Sequence, residues 1–236
     1  MPSLIIFSDL DGTLLDHDTY RWEEAVPALE RCRISGVPVV LISSKTRAEM
    51  EPLRKKMGIE APFVTENGGG IFFPPGLAEE PPAEAKDSGG LRKWGLGKDY
   101  AAVAKALKEI ASELKLSLKG FSDMDLEEIS RLTGLGVNES RLAAKREFDE
   151  PFIAPLLEPS DERNLQLAAA RRGLSITSGG RFHHLFGHGG KGAAMEKLIR
   201  WYRTGSSGAV TAALGDSPND FPMLELADHS FLVRSH

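Results

Sequence analysis

The chain has 236 residues, 41% of them hydrophobic and 27% charged, with a net charge of −5, so it can bury a sizeable core but carries no basic footprint for nucleic acid. A single cysteine, Cys32, excludes an intramolecular disulfide and a cysteine-based zinc cluster. No run approaches the ~18 apolar residues of a membrane span, and the N-terminus lacks the pattern of a secretory leader, so a cytoplasmic protein is expected.

Residues 4 to 8 read as a buried strand that leads straight into Asp9-Leu10-Asp11-Gly12-Thr13. Side chains alternate along a strand, so an Asp-x-Asp at its end points both carboxylates the same way. Residues 22 to 35 have apolar side chains at helical spacing, with Cys32 half-buried among them, and stop near Gly36. Val37 to Ile42 is a short β-branched run, hence a second buried strand, which ends at Ser43. A helix from Thr46 to Met57 and a strand at Phe63-Val64-Thr65 complete a β-α-β-α-β alternation. That alternation predicts a parallel sheet with helices on its faces, whose ligands bind beyond the carboxyl ends of the strands. Asp9, Asp11 and Ser43 all fall there.

The middle of the chain changes character. Pro74, Pro75, Pro81 and Pro82, with Gly76, Gly89 and Gly90, mark a hinge or an inserted hairpin. A helix from Asp99 to Leu114, a strand-like stretch from Leu116 to Phe121, and short helices over 125–132 and 139–147 follow. A strand over 151–157, a helix over 161–172, and a hairpin turning at Gly179-Gly180 complete what reads as a separate α+β module. The sheet pattern resumes after the glycine-flanked Lys191, with a helix over 193–202, a strand over 209–214, a short helix over 221–227 and a last strand at 231–233. Residues 1–81 and 188–236 are thus expected to form one domain, and 82–187 an insert.

The acidic loop Gly215-Asp216-Ser217-Pro218-Asn219-Asp220 follows a small-residue apolar run. Acid pair, hydroxyl, lysine and acid pair, in that order, compose a phosphoryl-transfer site. Asp9 would attack phosphorus, while Asp11 would protonate the leaving oxygen and then activate water. Ser43 would donate to a phosphate oxygen and Lys191 would supply positive charge. Magnesium would be held by Asp9, Asp11 and Asp216, with Asp220 and Asn219 in support. Each element alone has a plainer reading, such as a turn, a cap or a solvated charge. A calcium loop opens similarly, but the twelfth position counted from Asp9 is Tyr20 and not the bidentate Glu such loops need. A hexose phosphomutase shares the Asp-x-Asp, and a phospho-acceptor switch shares the strand-end aspartate, so both stay open.

Together these residues resemble the haloacid dehalogenase-like phosphatase superfamily, over nearly the whole chain. The insert between the third strand and the lysine resembles the large α/β cap of its Cof-like branch. The implied fold is α/β: a Rossmann-like parallel-sheet core with an inserted α+β cap of the C2 type. More narrowly, Leu14–Tyr20, Ser43–Glu49, Glu66-Asn67-Gly68-Gly69, Arg146–Phe152 and Gly179–His184 are similar to the mannosyl-3-phosphoglycerate phosphatase family. One departure from other Cof-like proteins is Ser43-Ser44-Lys45 where many have Thr-Gly-Arg. The chain also ends three residues after Val233, earlier than this resemblance implies.

The resemblance implies a magnesium-dependent phosphatase acting on a phosphorylated sugar-acid, with mannosyl and glucosyl forms not distinguished. Such a substrate calls for carboxylate-reading cations. Arg181 beside Gly180 is the first expectation, then Arg146, then Lys45 and Arg47. Glu66 and Asn67 are expected to bind sugar hydroxyls. Of His183 and His184, which alternate along a strand, only one can face the site; His17 is a candidate for its entrance.

Overall fold

The computed structural model describes residues 2–16, 19–155, 157–179, 182–187, 189–204 and 208–234. His17, Gly180 and Arg181 lie outside the described residues. Strands β1 (Leu4–Ser8), β2 (Val39–Ile42) and β3 (Phe63–Thr65) run parallel, as expected. The connections between them are α1 (Val26–Ile34) and α2 (Arg47–Lys56). The unbroken apolar character of β2 follows from its two covered faces. Val40 and Ile42 join Ile5 and Phe7 on one side, while Val39 and Leu41 pack with Met50, Met57 and the half-buried Cys32 on the other.

β4 (Gly70–Phe73) returns antiparallel to β3, and the hairpin of β5 (Lys86–Ser88) and β6 (Leu91–Gly95) extends the same sheet. The expected domain boundary at residue 82 therefore precedes a hairpin that pairs with the large sheet. Leu91 is buried in the cluster beneath that sheet, which ties the hairpin there. The chain reaches its second sheet only after Gly97.

That second unit begins with α3 (Tyr100–Leu114), β7 (Lys119–Gly120), α4 (Leu126–Thr133) and α5 (Val137–Ala143). It continues through β8 (Asp149–Ile153), α6 (Pro159–Arg171), β9 (Leu174–Gly179) and β10 (Phe182–Gly187). The four strands form an antiparallel sheet in the order β7-β8-β10-β9. One face packs Phe152, Leu174 and Leu185 against α3 and α6. The helix expected over 139–147 stops at Ala143, and the strand expected from 151 starts at Asp149. The reason is a carboxylate from the first unit, Glu66, which takes the N–H groups of Glu147, Phe148 and Asp149 at 2.7–3.0 Å and prevents them from continuing a helix.

The chain then returns through α7 (Gly190–Arg203), β11 (Val210–Gly215), α8 (Phe221–Leu226) and β12 (His229–Leu232). β11 inserts beside β1, giving the order β12-β11-β1-β2-β3-β4-β6-β5. This order puts the ends of β1, β2 and β11 side by side.

Candidate active site

Asp9 follows β1 directly, and its backbone N–H donates to Leu214 of β11 at 3.0 Å, so the first and last acidic loops share one strand end. Asp9, Asp216 and Asp220 each bring a carboxylate oxygen into one group, within 4.8 Å of one another. Lys191, on the first turn of α7, is buried between two of them. Its Nζ lies 2.7 Å from Asp9 Oδ1 and 2.7 Å from Asp220 Oδ1. Three segments of the chain thus meet around one ammonium.

The cluster has a built-in division of labour. Asp220 Oδ2 accepts from the N–H groups of Asp216 and Ser217, both at 3.1 Å, and from the Ser217 hydroxyl. With Lys191 on Oδ1, both Asp220 oxygens are occupied, and Asp220 serves as the anchor of the lysine. Asp9 Oδ2 receives no hydrogen bond among the described residues. Among the described residues, Asp216 accepts only a long bond from Thr13 Oγ1, at 3.4 Å. Gly12 turns the chain with φ of +79°, and a Cβ there would lie 2.6 Å from Asp216 Oδ2. The absent side chain is what lets the two acidic loops close on each other. Two open carboxylates beside an anchored third form an oxygen-only donor set of the kind a hard divalent cation prefers.

Electrostatics follow from burial. Desolvation pushes the Asp9 carboxyl up to about 7 against the pull of Lys191, and the neighbouring Asp220 and Asp11 charges add to the rise. For Lys191 the loss of water works the other way, but Asp9 and Asp220 more than offset it and hold the ammonium above its ordinary value. A cation on the open oxygens would join Lys191 in favouring the carboxylate form of Asp9.

Asp11, also expected among the metal ligands, keeps its carboxylate outside this group of three acids. Its Oδ2 meets Lys45 Nζ at 3.0 Å, its Oδ1 is buried with no hydrogen-bond partner, and the third acid of the cluster is Asp220. Lys45 also sits 5.1 Å from the centre of the Tyr20 ring. Ser43 is buried at the end of β2; its Oγ accepts from the Lys45 N–H at 3.2 Å, which leaves the hydroxyl proton free to be donated.

The other expected substrate groups lie where the two units meet. Glu66 is fully buried; burial pushes its carboxyl up to about 7, Arg146 and the N–H groups of Phe148 and Glu147 oppose the rise, and the Asp149 charge adds to it. Arg146 pairs with Asp149 at 2.8 Å, lies 3.6 Å from Glu66, and donates to the carbonyl of Ser44 at 3.0 Å. Arg47 pairs with Glu147 at 2.9 Å, as does Lys93 at 3.0 Å. Glu66, Arg146 and Arg47 thus form a clasp between the two units. Phe148 completes the clasp by packing into the core cluster of the first unit, on the bare backbone of Gly69, where a Cβ would collide with its ring. The Arg181 and Gly180 expectation lies outside the described residues.

Sequence reasoning missed Asp149. It is fully buried in β8, where Arg146, Asn67 and His184 converge on it. Against the cost of burial, the His184 ring and the Arg146 guanidinium hold its carboxyl below the usual range. Asn67 links onward to Asn219 of the acidic loop at 3.3 Å. The signal was present in Arg146-Glu147-Phe148-Asp149, but the partners lie 82 residues upstream and 35 downstream. His184 faces this network, whereas His183 stacks on Phe152 on the other face.

A larger cleft of about 650 Å³ opens at the opposite ends of the strands, lined by Trp22, Cys32, Met57 and Trp201. It holds none of the acidic cluster.

A model of the haloacid dehalogenase-like hydrolases matches residues 6–76. The glucosyl-3-phosphoglycerate/mannosyl-3-phosphoglycerate phosphatase of Persephonella marina is 40% identical over 233 residues, which is 98% of this chain and 84% of that protein. The protein of the same name from Methanococcoides burtonii is 39% identical over 230 residues, with the same shares. Among solved structures, the phosphatase BT1666 of Bacteroides thetaiotaomicron superposes with a TM-score of 0.67 at 19% identity, covering 96% of this chain and 82% of that one. At that identity the likeness speaks for the fold.

Proposed function

This chain belongs to the haloacid dehalogenase-like phosphatases, in the family of the glucosyl- and mannosyl-3-phosphoglycerate phosphatases, and from that premise we propose that it removes the phosphate of a glycosylated 3-phosphoglycerate with magnesium as its ion. The observation that carries the reading is the ammonium of Lys191 held between Asp9 and Asp220, beside the open carboxylate of Asp216. A phosphate ester repels an anionic attacker, and this arrangement brings fixed positive charge to the attacking group.

In the first step an Asp9 carboxylate oxygen bonds to phosphorus as the bond to the substrate oxygen breaks. Asp11 gives its proton to that departing alkoxide. In the second step water attacks phosphorus, Asp11 takes its proton, and the Asp9 carboxylate leaves, releasing inorganic phosphate. Ser43 donates its hydroxyl proton to a phosphate oxygen throughout. Asp9 and Asp216 are the residues with oxygens open for magnesium. The ion, when bound, supplies further positive charge against the phosphate oxygens.

The antiparallel unit that follows Gly97 and ends with β10 serves as the cap over this centre, with the Glu66–Arg146–Asp149 clasp as its attachment. The testing experiment is phosphate release from glucosyl- and mannosyl-3-phosphoglycerate, 3-phosphoglycerate and hexose phosphates, with and without magnesium. Magnesium-dependent release from the glycosylated compounds in preference to the rest is expected. Transfer of phosphate to a second sugar in place of water would overturn the hydrolase reading in favour of a mutase.

A further inference from the structure

Beside the reacting centre is a cleft of about 290 Å³, whose lining includes Lys191, Asn67, Asn219, Ser175 and Thr177. At ~30 Å³ per water it holds about ten waters' worth of ligand, the size of one sugar ring. Lys191 lines it and also touches Asp9, so one side chain links the cleft to that carboxylate. Its far wall is the free face of the small sheet, through Ser175, Thr177 and Phe186, with His184 next to Thr177 just outside the lining. The register pairs His184 with Thr177, and Phe186 with Ser175 and Asp149, so these side chains share that face.

His184 is the most constrained of them. Its Nδ1 lies 3.0 Å from Asp149 Oδ2 and 3.1 Å from Oδ1. Asp149 is in turn fixed by Arg146 and Asn67, each at 2.8 Å. A ring nitrogen facing a carboxylate carries a proton, which fixes the ring and leaves Nε2 as its second hydrogen-bonding atom. Among the described residues no hydrogen bond reaches Nε2. An oriented ring nitrogen next to two hydroxyls, Thr177 and Ser175, suits the hydroxyl groups of a sugar, which can either donate to it or accept from it.

We propose that His184, with Thr177 and Ser175, reads the hexose hydroxyls of the substrate, and that Asp149 is the positioning residue that aims the ring. The inference deepens the proposed function and rests on it. It separates recognition of the sugar, by the small sheet, from recognition of the phosphate, by the strand ends of the large one.

The test compares three substrates that lose one piece at a time: a glycosyl-3-phosphoglycerate, 3-phosphoglycerate without the sugar, and p-nitrophenyl phosphate without sugar or carboxylate. His184→Ala is expected to lower kcat/KM about 10- to 100-fold for the first, mainly through KM, and to leave the other two within about twofold. Thr177→Val, which keeps the shape of the side chain, is expected to give a smaller loss with the same selectivity, and it stands in if the histidine variant does not fold. Equal losses on all three substrates, or a loss shared by 3-phosphoglycerate, would overturn the sugar-reading role. So would an intact preference for the glycosylated substrate in both variants. A wild-type enzyme with no such preference would instead overturn the substrate reading, and this inference with it.

Discussion

Asn67 Nδ2 donates to Asp149 Oδ2 at 2.8 Å, joining the end of a core strand to the first residue of a cap strand. Asn67 and its neighbour Glu66 both adopt left-handed backbone, with φ of 55° and 51°, a conformation costly for residues with a Cβ. The clasp holds them there: Glu66 takes three N–H groups from the cap, and Asn67 takes Asp149. The acidic loop is tied in through Asn219, so the cap and the acidic end of the sheet are in hydrogen-bond contact.

Asp149 gives this clasp a pH dependence. Its folded-state carboxyl lies below the ordinary value of 3.8, so the stability it contributes is fully present above 3.8 and is lost as pH falls toward the lower folded value. Asp149→Asn is expected to destabilise the protein at neutral pH by about 3 kcal/mol, because Arg146 is left buried beside a neutral group. The variant's stability should also fall less steeply below pH 3.8. Urea unfolding across that range measures both, and parallel acid limbs would remove Asp149 from the account.

Asp9→Asn removes the attacking oxygen while keeping the size of the side chain. Turnover is expected to fall by more than about 10³-fold with the fold intact. Phosphate release and trapping of a phosphorylated enzyme check this, since the wild type alone should yield an acid-stable, hydroxylamine-sensitive adduct. A variant that still forms the adduct would place the nucleophile elsewhere.

Lys191→Met leaves Asp9 and Asp220 buried without their cation. A loss of about 3–5 kcal/mol in stability is expected, together with loss of activity. Adding Asp220→Asn to Lys191→Met should recover part of the stability and none of the activity. Denaturant midpoints of the single and double variants separate the two effects, and an unchanged midpoint for the single variant would show that the carboxylates do not depend on the ammonium.

Gly12→Ala puts a methyl group 2.6 Å from Asp216 Oδ2 at a backbone angle that L residues rarely adopt. Asp216 must move, so the magnesium concentration for half-maximal activity should rise about 10- to 100-fold. Saturating magnesium should restore much of the rate. Activation curves measure the shift; a rate loss that no amount of magnesium repairs would mean that the displaced group is Asp9 and not Asp216.

The parallel strands of the large sheet and the helices between them, with the acids and hydroxyl that follow those strands, were legible in the sequence; the antiparallel strands β4 to β6 were not. Alternation and period are local properties: an apolar run covered on both faces, followed by Asp9 or Ser43, places its polar end at the sheet edge whatever the rest of the chain does. What only the tertiary structure decided was how each charge is used. Glu66, Arg146 and Arg47 have the chemistry of substrate readers, yet partners brought from 81 to 102 residues away make them a clasp. Asp149 and His184 look ordinary in one dimension and gain their roles from strand register and burial. A side chain's type limits the bonds it can make, but the partners that desolvate it or neutralise it are chosen by the fold.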